Sequence, residues 1–131
     1  LGSQPSQGAY NASKFAVRGF TEALRQELDL QQCGVSATCV HPGGIKTNIA
    51  KAARMNDSMK SIGIDPQKGQ QSFDKLLHVT PEDAAEAILN GVKKNARRVL
   101  IGAEAYAFDA MQRLLPTGYQ KLVTMGTKFM Q

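Results

Sequence analysis

The chain has 131 residues and a mass of 14.2 kDa, which fits one ordinary domain and leaves no room for two. Apolar residues make up 42% and charged residues 21%, with no tryptophan, a globular rather than a disordered composition. Sixteen Lys and Arg against eleven Asp and Glu leave a formal charge of +5, a balance compatible with an anionic partner and equally with a solvated surface.

The chain opens Leu1-Gly2-Ser3-Gln4-Pro5, with no initiator methionine, and residues 2–8 are rich in Gly, Ser, Gln and Pro. They read as an irregular approach to a helix, and the chain is expected to be part of something longer. The residues given do not open on a basic-then-apolar leader, and no stretch of them reaches the roughly 20 apolar residues of a membrane span. A soluble, cytoplasmic protein with no membrane partner is expected.

Residues 11–32 repeat apolar positions at helical spacing (Phe15, Val17, Phe20, Ala23, Leu24, Leu28, Leu30), with Arg18, Glu22, Arg25 and Glu27 largely on other faces. Gly34 is the expected stop of this helix, because glycine accepts a left-handed backbone at little cost. Two cysteines flank the connection, Cys33 and Cys39. They are too few for a disulfide scaffold and fit a reducing compartment as buried or inert thiols. Residues 35–40 are a short apolar run of strand length, ended by His41-Pro42-Gly43-Gly44.

Residues 48–59 hold a weak helical pattern, 61–69 read as a surface insertion, and 70–77 as a short helix. Thr80-Pro81-Glu82-Asp83 is a strong helix start: a capping hydroxyl, proline at the first position and two acids in the first turn. Ala84, Ala85, Ile88, Leu89 and Val92 give that helix an apolar face, and Lys93 and Lys94 suit its C-terminal end. Arg98-Val99-Leu100-Ile101-Gly102 reads as a second buried strand. Residues 105–131 read as two amphipathic helices broken at Pro116-Thr117-Gly118. Strands alternating with helices predict an α/β parallel sheet. Two strands are fewer than the about four to six of an ordinary sheet, so a sheet completed elsewhere is expected.

Two places carry chemistry. Tyr10 and Lys14 stand four residues apart and share a face if the helix has begun there. A phenol titrates near 10, and an adjacent ammonium favours the phenolate, which prepares a tyrosine to exchange a proton with an alcohol or carbonyl oxygen. Taken alone, the pair reads first as an ordinary tyrosine beside a solvated lysine. The second place is Pro42-Gly43-Gly44-Ile45-Lys46-Thr47, directly after a strand, where open α/β sheets bind ligands. Glycines there let backbone approach a ligand, and Thr47 offers a hydroxyl. Taken alone, it is also a plain turn with a helix cap.

Together, Tyr10-Asn11-Ala12-Ser13-Lys14, the long helix, the strand ending in Pro42-Gly43 and Thr47 beyond it resemble the short-chain dehydrogenase/reductase family. The likeness continues through Phe15-Ala16-Val17-Arg18-Gly19-Phe20 and through Thr80-Pro81-Glu82-Asp83-Ala84-Ala85, and covers most of residues 4–102. The resemblance implies a Rossmann-like doubly wound parallel sheet, of which this chain is the C-terminal half. Its parts are then the Tyr/Lys helix (1–34), the strand and nicotinamide loop (35–48), a substrate-covering loop (49–79), the last helix and strand (80–104) and a helical tail (105–131). It also implies NAD or NADP as cofactor and interconversion of an alcohol with a ketone or aldehyde by hydride transfer.

By position, Tyr10 matches the family's catalytic tyrosine, and Lys14 the lysine that binds the nicotinamide ribose and lowers the tyrosine's pKa. Ile45 is implied to contact the carboxamide through its backbone, and Thr47 the carboxamide or pyrophosphate through its hydroxyl. Pro42, Gly43 and Gly44 shape that loop. The family's serine, about a dozen residues before the tyrosine, falls before Leu1; Ser3 and Ser6 are too close to Tyr10 for that role. No Gly-x-x-x-Gly-x-Gly loop occurs in the 131 residues, and the residue that separates NAD from NADP is missing too.

Other features have plain explanations. His41 is expected to be loop-facing or capped rather than a base, and His78 less notable still. Neither cysteine has metal spacing with a histidine. Lys93, Lys94, Arg97 and Arg98 form the basic cluster, but no aromatic residues interleave, and no nucleic-acid partner is expected. Met55, Met59, Ile62, Ile64 and Phe73 suggest an apolar lid. Apolar residues on more than one face of the Tyr/Lys helix, with the resemblance, imply a homodimer or homotetramer. A competing reading is a non-catalytic assembly piece whose open sheet edge pairs with another chain.

Overall fold

The structure is a computed structural model that describes residues 2–48, 60, 63 and 77–129. Its elements run α1 (Gly8–Gln31), β1 (Cys39–Pro42), α2 (Pro81–Lys93), β2 (Arg98–Ile101), α3 (Ala103–Leu114) and α4 (Tyr119–Phe129). The elements expected between residues 49 and 76, including the apolar lid residues, lie outside the described residues.

Helix α1 begins at Gly8, earlier than the hydrophobic pattern predicts, so Tyr10 and Lys14 are both helical. Its stop also differs from expectation. Gln32, not Gly34, is the left-handed cap, at φ 51°, with its N–H donating to Leu28 O at 3.1 Å. Gly34, at φ 75°, makes the second left-handed turn of the same connection.

Strand β1 is displaced toward the C-terminus from the expected 35–40. The earlier residues make other bonds: the Arg25 guanidinium donates to Ala37 O at 3.1 Å, and Thr38 Oγ1 donates to Ala96 O at 2.7 Å. Ladder bonding starts with Cys39 N–H to Arg97 O at 3.0 Å and continues to Gly43 N–H on Ile101 O at 2.8 Å. Donors toward β2 are thus the odd-numbered residues. Pro42 falls between them, where its missing N–H costs the ladder nothing, so the proline extends the strand it was expected to end.

The two strands pair in parallel, Cys39 with Arg98, Val40 with Val99, His41 with Leu100 and Pro42 with Ile101. α2 provides the crossover. Thr80 caps it as predicted, its hydroxyl accepting from Asp83 N–H at 3.1 Å, with Pro81 in the first turn and Lys93 in the last. Ala84 of α2 packs on Val99 and Ile101 of β2, and Val40, Ile45, Val79, Ala87, Ile88 and Ala96 surround them. Because strand side chains alternate, the opposite face presents Cys39, His41, Arg98 and Leu100. On that side α1 packs against β1, and Arg98 pairs with Asp109 of α3. Helices on both faces of a parallel sheet make this a partial Rossmann-like α/β arrangement.

The tail is two helices broken at residues 115–118, as the Pro-Thr-Gly sequence predicts. Tyr119 at the start of α4 is buried, and its hydroxyl is 2.8 Å from Ser3 Oγ, which fastens the N-terminal segment to the C-terminal helix. Cys39 is buried as expected, but Cys33 is an exposed free thiol. No helix among the described residues is long and apolar enough to cross a membrane.

Candidate active site

Tyr10 and Lys14 sit one turn apart on α1, and the Lys14 ammonium lies over the Tyr10 ring, 5.3 Å from its centroid. Tyr10 is half-exposed, so its phenol is open to a ligand. The segment before it is tied down: Asn11 Nδ2 donates to Gln4 O at 3.0 Å, and Ser13 Oγ to Tyr10 O at 2.7 Å.

α1 leads through a short connection into β1, so the helix start and the strand end lie at the same end of the sheet. Contacts along the two elements set their register. Arg25 of α1 reaches Ala37, Glu22 and Arg18 act on the Cys39 thiol, and Arg18 with Arg98 acts on His41. Four helical residues rise about 6 Å and two strand residues about 6.6 Å. This register places the start of α1, with Tyr10 and Lys14, at the end of the sheet where β1 finishes. Among the described residues, no hydrogen bond links the pair to that loop.

Loop 42–47 is held almost entirely by backbone. Gly43 N–H donates to Ile101 O at 2.8 Å, Ile45 N–H to Gly43 O at 3.1 Å, and Lys46 N–H to Val79 O at 2.8 Å. Gly44 O accepts from the N–H groups of His78 and Val79, both at 3.1 Å, and Ile45 bridges Val79 in parallel fashion. The loop is thus a short continuation of the sheet. Pro42 and Thr47 are exposed, and Gly43, Gly44 and Ile45 half-buried.

One side chain joins this backbone set. Glu104, in the first turn of α3, accepts the Gly44 N–H on Oε1 at 2.5 Å, and His78 Nε2 lies 3.1 Å from its Oε2. That second contact is an ion pair when His78 is protonated. A Cβ on Gly43 or on Gly102 would run into the Glu104 carboxylate, and Gly102 has φ 87°, where side chains are strained. Partial burial pushes the Glu104 carboxyl up. The backbone N–H groups of Gly44 and Glu104 and the charge of His78 outweigh that and hold it below the ordinary carboxylate value. Sequence reading passed over Glu104 and gave His78 no role. The available signal was a glycine, then an acid two residues on, directly after a strand; only the register shows that they face Gly43 and Gly44.

His41 departs from its expected loop-facing or capped role. It lies inside β1, 5% exposed, and among the described residues neither ring nitrogen has a hydrogen-bond partner. Burial first, then the positive charges of Arg98 and Arg18, push its pKa down to about 4, so the ring is neutral near pH 7. Two members of the basic cluster are paired: the exposed Arg97 with Asp29 at 2.6 Å, and the half-buried Arg98 with Asp109. Among the described residues, no group of three or more His, Cys, Asp or Glu is placed to hold a metal.

Comparison with known proteins agrees with this arrangement. The short chain dehydrogenase family matches residues 1–58. "Putative oxidoreductase SadH" of Mycobacterium tuberculosis is 50% identical over 123 residues, 93% of this chain and 43% of that protein. "Dehydrogenase/reductase SDR family member 11" of Homo sapiens is 38% identical over 80 residues, 61% of this chain and 28% of that protein. "Uncharacterized oxidoreductase YxnA" of Bacillus subtilis is 34% identical over 110 residues, 84% of this chain and 28% of that protein. The chain therefore spans less than half the length of these relatives, and no solved structure matches it significantly. With its Tyr10–Lys14 helix, its Pro42-Gly43 loop and these relatives, the chain belongs to the short-chain dehydrogenase/reductase family.

Proposed function

We propose that the protein of which these residues form part is an NAD(P)-dependent oxidoreductase that interconverts an alcohol and a ketone or aldehyde, its small-molecule substrate. One observation carries the reading: the Lys14 ammonium lies over the ring of Tyr10, whose phenol is open, and their helix start lies at the end of the sheet where the glycine-containing loop follows β1. The donor set suits a nicotinamide nucleotide. Lys14 supplies a cation for ribose hydroxyls, the Ile45 carbonyl is an acceptor for a carboxamide, and Thr47 is an exposed hydroxyl. Pro42, Gly43 and Gly44 shape the loop that presents them. The cofactor, when bound, supplies or accepts the hydride.

Tyr10 does the proton work. In reduction its O–H donates to the carbonyl oxygen as hydride reaches the carbonyl carbon; in oxidation its phenolate takes the proton of the alcohol. Lys14, one turn away, holds its ammonium over the Tyr10 ring. We also propose a homodimer or homotetramer built through α1, whose Val17, Phe20 and Leu30 are exposed here at 59%, 70% and 85%.

In the full-length protein, Tyr10→Phe is expected to lower kcat by about 10²- to 10⁴-fold, the usual share of general acid–base catalysis, while leaving cofactor affinity within about threefold. Steady-state kinetics and nicotinamide fluorescence titration measure the two. Retention of most activity by Tyr10→Phe would overturn the assignment. Residues 1–131 alone are expected to bind the dinucleotide weakly or not at all, because they contain no Gly-x-x-x-Gly-x-Gly loop for the pyrophosphate.

A further inference from the structure

The Glu104 carboxylate lies in a gap kept open by glycines on two segments. Gly43 belongs to the loop after β1, and Gly102 to the turn after β2. Its Oε1 takes the Gly44 N–H, the loop's one described backbone donor that is bound to a side chain. Its Oε2 lies beside His78, whose own N–H donates to Gly44 O. Gly44 is therefore gripped on both its amide and its carbonyl, and a single carboxylate bridges the loop, the segment at residue 78 and the start of α3. Glu104 is 24% exposed and His78 55% exposed at the side chain, so the grip sits at the rim of the site rather than in the core.

We propose that Glu104 is a positioning residue that, with His78, fixes the backbone of residues 43–45 so that Ile45 and Thr47 are preorganised for the nicotinamide end of the cofactor. This rests on the reading above that loop 42–47 holds that end. A charge-assisted hydrogen bond to a backbone N–H is stronger than a neutral one, and ordering a loop beforehand removes part of the entropy that binding would otherwise lose. Removal of Glu104 should therefore weaken cofactor binding while leaving proton transfer by Tyr10 largely untouched.

The test uses three variants of the full-length protein. Glu104→Ala removes the acceptor. Glu104→Asp keeps the charge but draws it back from Gly44. Glu104→Gln keeps an oxygen in reach of Gly44 N–H without the charge. Direct titration with reduced nicotinamide dinucleotide is expected to show cofactor Kd raised about tenfold or more in Glu104→Ala and Glu104→Asp, with Glu104→Gln closer to the wild type. At saturating cofactor, kcat should stay within about threefold in all three. Hydrogen exchange at the Gly44 amide should be faster in Glu104→Ala and Glu104→Asp than in the wild type.

An unchanged cofactor Kd in Glu104→Asp overturns the proposal, and so does equal weakening in Glu104→Asp and Glu104→Gln with unchanged Gly44 exchange. If Glu104→Ala does not fold, the Asp and Gln pair decides alone. Failure of the functional reading looks different. The wild type would then bind no nicotinamide dinucleotide, or Tyr10→Phe would remain active, whatever the state of the Gly44 amide. Absence of cofactor binding in the wild type also removes the role proposed for Glu104.

Discussion

His41 shows how a single strand register changes a residue's chemistry. Beside Pro42-Gly43 it reads as a loop histidine, but one more residue of pairing with β2 carries it into the sheet, with Arg98 on β2, Arg18 and Glu22 on α1 and Asp109 on α3 as its charged neighbours. Burial and the two arginines win over Asp109, and the folded pKa drops to about 4 from 6.5. Between those values only the unfolded chain takes up the proton. The stability is therefore fully present above pH 6.5 and is lost as pH falls toward 4, by about 3 kcal/mol at most. Denaturant unfolding of the full-length protein from pH 7.5 to 4 should show this decline, and His41→Leu should flatten it. Because no hydrogen bond among the described residues is lost, His41→Leu should cost little at pH 7; a loss of several kcal/mol there would mean that the ring nitrogens have partners. Glu22, Asp29, Glu104 and Asp109, all held below their ordinary values, add a separate loss at lower pH, as each is protonated. Tyr10, Lys14 and the Pro-Gly loop were legible because their spacing carries their geometry. Glu104 and His41 were not, since their surroundings come from residues about 60 positions away or from across the sheet.

Elements with local signals were read closely, and those without were displaced. α2 has its cap hydroxyl, its proline and its acids in sequence, and forms between Pro81 and Lys93 as the pattern predicts. β1 lacks such punctuation. Its apolar run starts at Val35, but pairing starts only where Arg97 comes opposite at Cys39, which no local pattern encodes. Gly91 of α2 records the same kind of distant constraint. It is buried, and a Cβ there would strike Val99 Cγ2 on β2. Alanine at a mid-helix glycine gains about 1 kcal/mol of propensity, but overpacking costs about 1–3 kcal/mol, so the clash should dominate. Gly91→Ala is expected to destabilise by up to about 2 kcal/mol. In a Val99→Ala background the same change should be neutral or favourable, and a double-mutant cycle by chemical denaturation measures the difference. Simple additivity would show that Val99 is not the obstacle. Thr80→Ala, which removes the cap on Asp83 N–H, should cost about 1 kcal/mol.

For the molecule as a whole, the balance of buried and exposed apolar groups limits what these residues do alone. The described core is Ala84, Val99 and Ile101 with a half-buried surround, and no large side chain among the described residues is fully buried. Against this, α1 leaves Phe15 and Phe20 at 41% and 70% exposed, and Leu114, Leu122 and Met125 of the C-terminal helices lie at 79%, 48% and 54%. Such surface is expensive in water, at about 25 cal/mol per Å² of apolar area. The two-stranded sheet, with one edge of β1 unpaired among the described residues, has the same implication, since isolated strand pairs are marginal. The sequence already pointed here through its strand count, while the residues that stay exposed emerged only with the helix faces in place. Phe20 and Leu30 lie ten residues apart on α1, so their sides differ by about 80° at 100° per residue, and Val17 lies about 60° from Phe20. The exposed apolar arc is therefore about 140° wide, more than one neighbouring element covers, and a second subunit is the proposed cover for part of it. Sedimentation of the full-length protein at micromolar concentration should give a dimer or tetramer, and Phe20→Glu should shift it toward monomer by placing a charge in an apolar contact. A wild-type monomer would remove the oligomer from the proposal; an unshifted Phe20→Glu oligomer would move the interface away from this part of α1.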